Sequence, residues 1–350
     1  MNYLTILIIH NQNQTQMKNL FKIAVLLVFF PVVMMTSCKK DAPEAVNAYV
    51  TLKTYMVANT LDLPDLAKNW IVDPKSTNTG GIVDSAAGEI PGYHVFDIRP
   101  AADFATGHIK NAVNVALKDV VTTAANYTDK PICVVCFTGQ TAGQAVMALR
   151  LSGFANAVVL KWGMAGWNAT YKGPWISNSG HEVSANGNIA VGSANWVTTA
   201  APSLQSFDEP IWTSTSTDGA AILKERVQAV LNAGFTPAAA ADVLAAPASY
   251  QIVNYWSEAD YLAFGHFDGA YDLPVIALAG DLVKAIDPSK DAMVYCFTGQ
   301  TSSIATFWLN VLGYKTKGIG FGANKLVYDQ LKANAKPVYK GPKNYVTLSN

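Results

Sequence analysis

The sequence has no excess of charge of either sign. Its 350 residues include 25 lysines and arginines and 25 aspartates and glutamates. No basic cluster occurs beyond the N-terminal region, whereas a protein that binds nucleic acid through its phosphates carries a basic patch or stripe. The composition therefore predicts no nucleic-acid partner.

Candidate metal ligands are few. The chain has 5 histidines and 4 cysteines. The histidines are isolated from the cysteines in the sequence, and no pair of residues has the spacing of a zinc site. We therefore expect no bound metal and no resident cofactor.

The apolar stretch near the N-terminus, residues 23–35, is shorter than the run of about 20 apolar residues that a transmembrane helix needs. Lys18 and Lys22 precede it, and small residues precede Cys38. A basic segment, an apolar segment and small residues before a cysteine together resemble a bacterial lipoprotein signal.

Such a signal implies that residues 1–37 are removed and that Cys38 is lipidated. Met17 begins a normal charged segment, so we expect the true start there. The mature protein would then lie in the cell envelope outside the cytoplasm, at the periplasmic face or the outer-membrane surface. It would contact the membrane through its lipid anchor.

The hexapeptide Cys-Phe-Thr-Gly-Gln-Thr occurs twice, at residues 136–141 and 296–301. An apolar run typical of a buried strand precedes each copy, and apolar residues at helical spacing follow it. Each cysteine thus lies between a strand and a helix N-terminus, where unpaired N–H groups and the helix dipole favour an anion. The pattern predicts a stabilised thiolate at both Cys136 and Cys296.

The similarity between the two halves extends beyond the hexapeptides. Gly107-His108 matches Gly265-His266, and residues 161–166 align with residues 317–322. In this alignment Lys161 and Lys317 hold equivalent places. A repeat of this length is a whole domain rather than a solenoid unit.

The duplication predicts two domains, each able to bury its own core. The first covers residues 44–176 and the second residues 219–343, and the polar segment 177–218 links them. Helical patterns over residues 46–58 and 220–231 open the two domains, and their apolar residues are expected to face the core.

The motifs of the first copy resemble the rhodanese family of sulfurtransferases. Asp97-x-Arg99, Gly107-His108, the cysteine loop and the glycine-rich turn at residues 163–167 follow that family's order and spacing. The second copy departs from it, because residues 254–256 (Asn-Tyr-Trp) replace the Asp-x-Arg element. The resemblance implies an α/β fold of two tandem rhodanese-like domains, each a small parallel sheet flanked by helices. The cysteine loop would lie at the carboxyl end of a central strand.

Backbone N–H groups curled above each sulfur would form an anion-binding nest, to which threonine and glutamine side chains add donors. These expected substrate-binding residues are Phe137, Thr138, Gly139, Gln140 and Thr141 in the first loop and Phe297, Thr298, Gly299, Gln300 and Thr301 in the second. Neither loop contains Arg or Lys, so Lys161 and Lys317 are the candidate cations at the rim. Asp97, Arg99 and His108 are expected to be structural supports.

The resemblance implies that the thiolate attacks the sulfane sulfur of a small donor such as thiosulfate, polysulfide or a mercaptopyruvate-like compound. A transient cysteine persulfide then passes its outer sulfur to an acceptor thiol or cyanide. A non-catalytic module that binds anions or persulfides is the alternative. Because the first copy keeps more of the motifs, Cys136 is expected to carry most of the turnover.

Cys133 and Cys136 form a Cys-x-x-Cys string, which leaves thiol-disulfide exchange as a remote alternative. The predicted strand argues against it, since extended residues three apart are separated by about 10 Å. A disulfide needs Cα atoms within about 7 Å. Cys133 is therefore expected to be a small buried side chain.

Overall fold

The computed structural model describes residues 47–349. The predicted signal segment, the start proposed at Met17 and the lipidation site Cys38 lie outside these residues. Within the described part of the chain, none of the helices combines the length and the apolar character that crossing a membrane requires.

The first repeat alternates helices and strands, as its apolar patterns predict. Its elements are α1 (Ala48–Ala58), α2 (Leu63–Leu66), β1 (Ile71–Val72), β2 (His94–Asp97), α3 (Ala101–Thr106), β3 (Val113–Asn114), α4 (Val120–Ala124), β4 (Ile132–Val135), α5 (Gln140–Leu151), β5 (Val158–Leu160), α6 (Gly163–Trp167) and α7 (Gly173–Ile176). Short 3₁₀ turns occur at Thr77–Thr79, Leu117–Asp119 and Ala169–Tyr171.

The second repeat has a similar order of elements around its own sheet, but an isolated bridge between Ala238 and Ile319 replaces the pairing of β1. Its elements are α8 (Gly219–Ala233), α9 (Ala240–Ala245), β7 (Gln251–Asn254), α10 (Glu258–Phe264), β8 (His266–Phe267), β9 (Tyr271–Asp272), β10 (Asp291–Tyr295), α11 (Gln300–Leu312), β11 (Lys315–Gly318), α12 (Ala323–Leu326) and α13 (Tyr328–Ala333). The connection between the repeats contains β6 (Trp196–Val197) and a 3₁₀ turn at Ser184–Gly187, and further 3₁₀ turns are at Pro247–Ser249 and Ala279–Ala285.

The two main sheets are both parallel, with five strands in the first and four in the second. The first has the strand order β1-β5-β4-β2-β3, and the second has the order β11-β10-β7-β9. In both sheets the strand before the cysteine, β4 or β10, pairs on either side with a parallel strand. The chain thus contains two tandem rhodanese-like α/β units, with each cysteine after a central strand.

The two repeats share one core. Leu52 and Val134 of the first repeat belong to the same buried cluster as Val294 and Trp308 of the second. The opposite faces of the two sheets cover separate clusters, one for each repeat. Each repeat therefore has a core of its own on one face of its sheet only. On the other face, helices α5 and α11 pack against each other and the core is shared.

The segment that follows each repeat packs against the other repeat. β6, which lies in the predicted linker, pairs antiparallel with β8 of the second repeat. After the second repeat, Lys343 N donates to Gly166 O at 2.9 Å, and Leu348 exchanges backbone hydrogen bonds of 2.8 and 3.0 Å with His108 of the first. Both segments are ordered parts of the fold rather than free connections.

Candidate functional site

Each cysteine lies directly after the central strand of its sheet, as the apolar runs predict. Gly139 and Gly299 adopt left-handed φ angles of 82° and 74°, which let the chain turn into α5 and α11. A Cβ at Gly139 would displace the Gln300 side chain, and a Cβ at Gly299 would lie 2.8 Å from the backbone Phe321 N. The left-handed backbone therefore favours glycine at both positions, and the close backbone contact adds to this at Gly299.

The sulfur of Cys136 accepts two backbone hydrogen bonds. Gly139 N lies 3.1 Å and Ala142 N lies 3.4 Å from Sγ, and the residue is only 5% exposed. These donors form part of the nest that the sequence predicts, and Ala142 N belongs to the first turn of α5. Two N–H groups aimed at a buried sulfur stabilise negative charge on it.

Hydrogen bonds from helices α6 and α7 fix the carbonyl groups of the first loop. Cys136 O accepts from Met164 N at 2.8 Å, and Phe137 O accepts from Ala165 N at 3.0 Å. Thr138 O accepts from Trp175 Nε1 at 3.3 Å. Because these hydrogen bonds fix the peptide planes, the loop can keep its N–H groups directed toward the sulfur.

Cys296 has a different set of partners. Its sulfur accepts from Ser302 N at 3.3 Å, and its S–H donates to Ser302 Oγ at 3.7 Å. Ala142 stands at the position of Ser302 in the first repeat, so this side-chain contact is specific to the second. The Cys296 sulfur thus accepts one backbone N–H where the Cys136 sulfur accepts two.

The turns behind the two loops correct the predicted equivalence of Lys161 and Lys317. Trp162 and Phe321 both have left-handed φ angles, of 67° and 61°. The backbone N–H two residues after each of them donates to the carbonyl of the loop cysteine. Trp162 is thus equivalent to Phe321, and Lys161 is equivalent to Gly320.

The predicted equivalence of Lys161 and Lys317 was therefore wrong by three residues. The two lysines lie at different positions relative to the turn. Lys317 lies within strand β11, where it pairs with Met293 and is exposed. Lys161 follows β5, and its Nζ lies 3.1 Å from Asp73 Oδ1 and 5.3 Å from the centre of the Trp162 ring. One carboxylate thus already neutralises part of its charge.

The loop glutamines cross between the repeats. We expected both amides to serve their own loop, but Gln140 Oε1 accepts from Phe321 N at 2.9 Å, and Gln300 Nε2 donates to Thr138 O at 3.0 Å. Both residues are buried. Each glutamine therefore braces the loop or turn of the other repeat, which sequence reasoning missed although the same Gln stands in both hexapeptides.

The other predicted loop residues lie where the sequence places them. Thr138 Oγ1 and Thr298 Oγ1 accept from the N–H of the following glutamine at 3.3 and 3.2 Å. Thr141 and Thr301 lie in the first turns of α5 and α11. The hydroxyls of Thr138 and Thr298 thus accept from the first N–H group of the helix that follows each loop.

Asp97 and Arg99 form a buried ion pair, with Arg99 Nη2 2.6 Å from Asp97 Oδ2 and 2.7 Å from Gly107 O. The guanidinium also lies 5.3 Å from the centre of the Phe137 ring. His108 stacks on Phe104 with a centroid distance of 3.9 Å. Arg99 thus contacts both the carbonyl of Gly107 and Phe137, the residue next to Cys136.

In the second repeat Asn254 and Trp256 replace the two members of this ion pair. Trp256 occupies the place of Arg99 and packs against Phe297 with a centroid distance of 4.6 Å. Tyr255 occupies the place of Ile98; burial raises its pKa to about 12, and a thiolate at Cys296 adds to the increase. Tyr255 is thus a protonated phenol at neutral pH and a further candidate donor near Cys296 that the sequence did not reveal.

Cys133 does not share a face of the sheet with Cys136. It is fully buried in the cluster under β4 and β5, whereas Cys136 belongs to the core that the two repeats share. Burial raises the pKa of Cys133 far above its usual range. Both thiols are free, and their opposite orientation argues against a disulfide between them.

Comparison with known proteins identifies the family. A family model described as "Rhodanese-like domain" matches residues 84–170. The uncharacterized protein YibN of Escherichia coli (strain K12) is 36% identical over 77 residues, which are 21% of this chain and 54% of that protein. The thiosulfate sulfurtransferase GlpE of Pseudomonas entomophila (strain L48) is 34% identical over 80 residues, which are 23% of this chain and 73% of that enzyme. The chain belongs to the rhodanese family.

Solved rhodaneses also align with the chain. A thiosulfate sulfurtransferase from Pseudomonas aeruginosa aligns over 80% of this chain and 47% of its own length, with 16% identity and a TM-score of 0.27. This rhodanese spans about half the length of YibN, the first curated relative that it matches. The matches to YibN and GlpE are shorter than one repeat, since they cover 77 and 80 residues.

The described part of this rhodanese also contains no group of three or more His, Cys, Asp or Glu side chains placed to hold a metal ion. The loops themselves present thiols and the backbone donors around them. Sulfur, N–H groups and hydroxyls suit nucleophilic attack and anion binding.

Proposed function

We propose that this rhodanese is a sulfurtransferase that moves sulfane sulfur through a persulfide on Cys136. The observation that carries the proposal is the pair of N–H groups, from Gly139 and Ala142, that donate to Cys136 Sγ. The same donors would stabilise the negative charge of a persulfide. Membership of a family that includes thiosulfate sulfurtransferases supports the reaction class.

The reaction has two steps. The Cys136 thiolate attacks the outer sulfur of thiosulfate, the donor's S–S bond breaks, and sulfite leaves with the electron pair. An acceptor thiolate or cyanide then attacks the outer sulfur of the persulfide, and the Cys136 thiolate is the leaving group. Polysulfides and mercaptopyruvate-like compounds are alternative donors.

For the second repeat, a specific observation favours a binding role without turnover. The Cys296 sulfur accepts one backbone N–H, from Ser302, whereas the Cys136 sulfur accepts two. We infer that this loop binds an anion or persulfide, or turns over slowly, while Cys136 carries the main reaction.

Single-cysteine variants test this assignment. Cys136→Ser should lower the rate of sulfur transfer from thiosulfate to cyanide by about 100-fold or more, because the nucleophile is lost. Cys296→Ser, the matched control, should keep the rate within about twofold. The opposite ranking of the two variants would overturn the assignment to Cys136.

We also propose that the protein is anchored outside the cytoplasm by a lipid on Cys38. The support is the order of residues in the N-terminal segment. Detergent partitioning and N-terminal mass analysis should find the wild-type protein lipidated at Cys38, and Cys38→Ala should release it from membranes. An unmodified Cys38 in membrane-purified protein would contradict the proposal.

A further inference from the structure

A cleft rich in lysine lies beside the turn that supports the Cys136 loop. Its volume is about 430 Å³, and the first repeat contributes Lys161, Trp162 and Gly166 to its wall. Residues 335–343, which follow helix α13 of the second repeat, supply much of the rest. The two repeats therefore form this cleft jointly.

The cleft concentrates positive charge in a chain that is neutral as a whole. Its five lysines are Lys75, Lys161, Lys336, Lys340 and Lys343, and its single carboxylate is Asp73. Lys161 pairs with that carboxylate at 3.1 Å, and Lys336 pairs with Asp260 outside the cleft at 2.5 Å. Among the described residues, no acidic side chain pairs with the other three lysines.

Three exposed lysines, which have no acidic partner in the described part of the chain, line this one cavity, and their like charges attract an anion. Lys75 follows β1 in the first repeat, whereas Lys340 and Lys343 come from the far end of the chain. A ligand that neutralises all of them must carry more than one anionic group. The volume of the cleft is that of an ordinary small-molecule site, which is about 300–1,000 Å³.

The cleft is also lined by or next to residues that form hydrogen bonds to both cysteine loops. The turn that includes Trp162 and Gly166 holds Cys136 O through a backbone N–H. On the other side, Asn324 Nδ2 donates to Pro337 O in the cleft wall and to Phe297 O in the second loop. A ligand in the cleft would contact both supports.

We propose that this cleft is a binding site for a small organic polyanion that carries two or more phosphate or carboxylate groups. The site is separate from the cysteine loops and does not depend on sulfur transfer. Lysine suits both ligand groups, because it acts as a flexible point charge. Bound polyanion stabilises the contact between the repeats, since each repeat supplies part of its charge.

Calorimetric titration of the full chain with tripolyphosphate and with citrate tests the proposal. The titrations use the Cys136→Ser/Cys296→Ser variant, so that sulfur chemistry plays no part, at an ionic strength of about 0.15 M. In that background, Lys75→Ala/Lys340→Ala/Lys343→Ala should weaken binding about tenfold or more. The control Lys118→Ala/Lys130→Ala/Lys224→Ala removes the same charge from exposed positions outside the cleft and should change binding by less than about twofold.

Saturable binding of either probe that depends on the three cleft lysines supports the site, and the preferred probe tells phosphate from carboxylate recognition. If neither probe binds, or if the two triple variants lose affinity equally, the site does not exist and the lysines form an ordinary solvated surface. Both results leave the sulfurtransferase proposal untouched, because the titrated protein has no loop cysteine.

Discussion

Asn114 and Asp272 occupy the same position in the two repeats, since each pairs with the last residue of the neighbouring strand. Asn114 Nδ2 donates to the carbonyls of Asp97 and Arg99 at 2.9 and 2.8 Å. An ionised carboxylate cannot donate, and Asp272 Oδ1 is buried without a hydrogen-bond partner. Burial raises the pKa of Asp272 to about 6, and the charge of Glu258 adds to the increase.

Asp272→Asn should raise the free energy of unfolding at pH 7.5 by an amount on the order of 1 kcal/mol, because the amide can donate where the carboxylate cannot. The folded-state pKa lies above the unfolded value, so the wild type loses stability as the pH rises through about 6. The gain should therefore shrink toward zero at about pH 4, where the carboxyl is protonated in the folded protein. Urea unfolding of the variant and the wild type at pH 7.5 and at about pH 4 measures this gain in the free energy of unfolding.

The duplicated position supplies the control. Asn114→Asp should destabilise the first repeat at pH 7.5, since it replaces an amide that donates two hydrogen bonds. A gain for Asp272→Asn that has the same size at both pH values would show that the charge of Asp272 costs nothing in the folded state.

At the scale of elements, helices α5 and α11 couple the two cysteine loops. Gln300 at the start of α11 reaches the first loop, and Gln140 at the start of α5 reaches the turn behind the second. One turn further along α5, Gln144 Nε2 donates to Ser303 O at 2.5 Å. The geometry of each loop therefore depends on a residue of the other repeat.

Gln300→Ala should lower sulfur transfer by Cys136 roughly fivefold, measured in the Cys296→Ser background, because Thr138 O loses a donor that positions the first loop. Gln144→Ala is the matched control, since it removes a buried hydrogen bond between the same helices without touching a loop. Both variants should lose similar stability. Equal losses of activity in the two variants would show that Gln300 contributes only to the packing of the helices and does not position the loop.

The sequence predicted the strands and helices that flank the loops, because apolar residues at periods of 2 and 3.6 mark them locally. It did not predict the crossed glutamines, since a hydrogen bond between Gln300 and Thr138 leaves no periodic signal. The alignment of Lys161 with Lys317 was wrong for a related reason. It matched identical residue types, whereas the equivalent positions in the two turns are defined by the left-handed residues Trp162 and Phe321.

At the scale of the whole molecule, the described chain is one structural unit built from two similar halves. Residues 343–348 complete the first repeat, and β6 completes the second. The sequence predicted two domains and a linker. It could not show this exchange, because pairing between segments far apart in the chain depends on tertiary contacts that a single sequence does not display.

The shared core predicts that residues 47–349 unfold in one cooperative transition. Urea unfolding followed by far-ultraviolet circular dichroism and by tryptophan fluorescence should give the same midpoint, since Leu52 and Trp308 belong to one cluster. Two separate transitions would show that each repeat is stable alone and that the contact between them contributes little.

The central claim, that Cys136 carries sulfur as a persulfide, is tested most directly by intact-mass analysis after exposure to thiosulfate, polysulfide or mercaptopyruvate. Wild type and Cys296→Ser should gain the mass of one sulfur atom that maps to Cys136 and is lost on addition of cyanide. Cys136→Ser should not gain it. If none of the three donors adds sulfur to Cys136, or if the added sulfur resists every acceptor, the protein is a binding module rather than a sulfurtransferase.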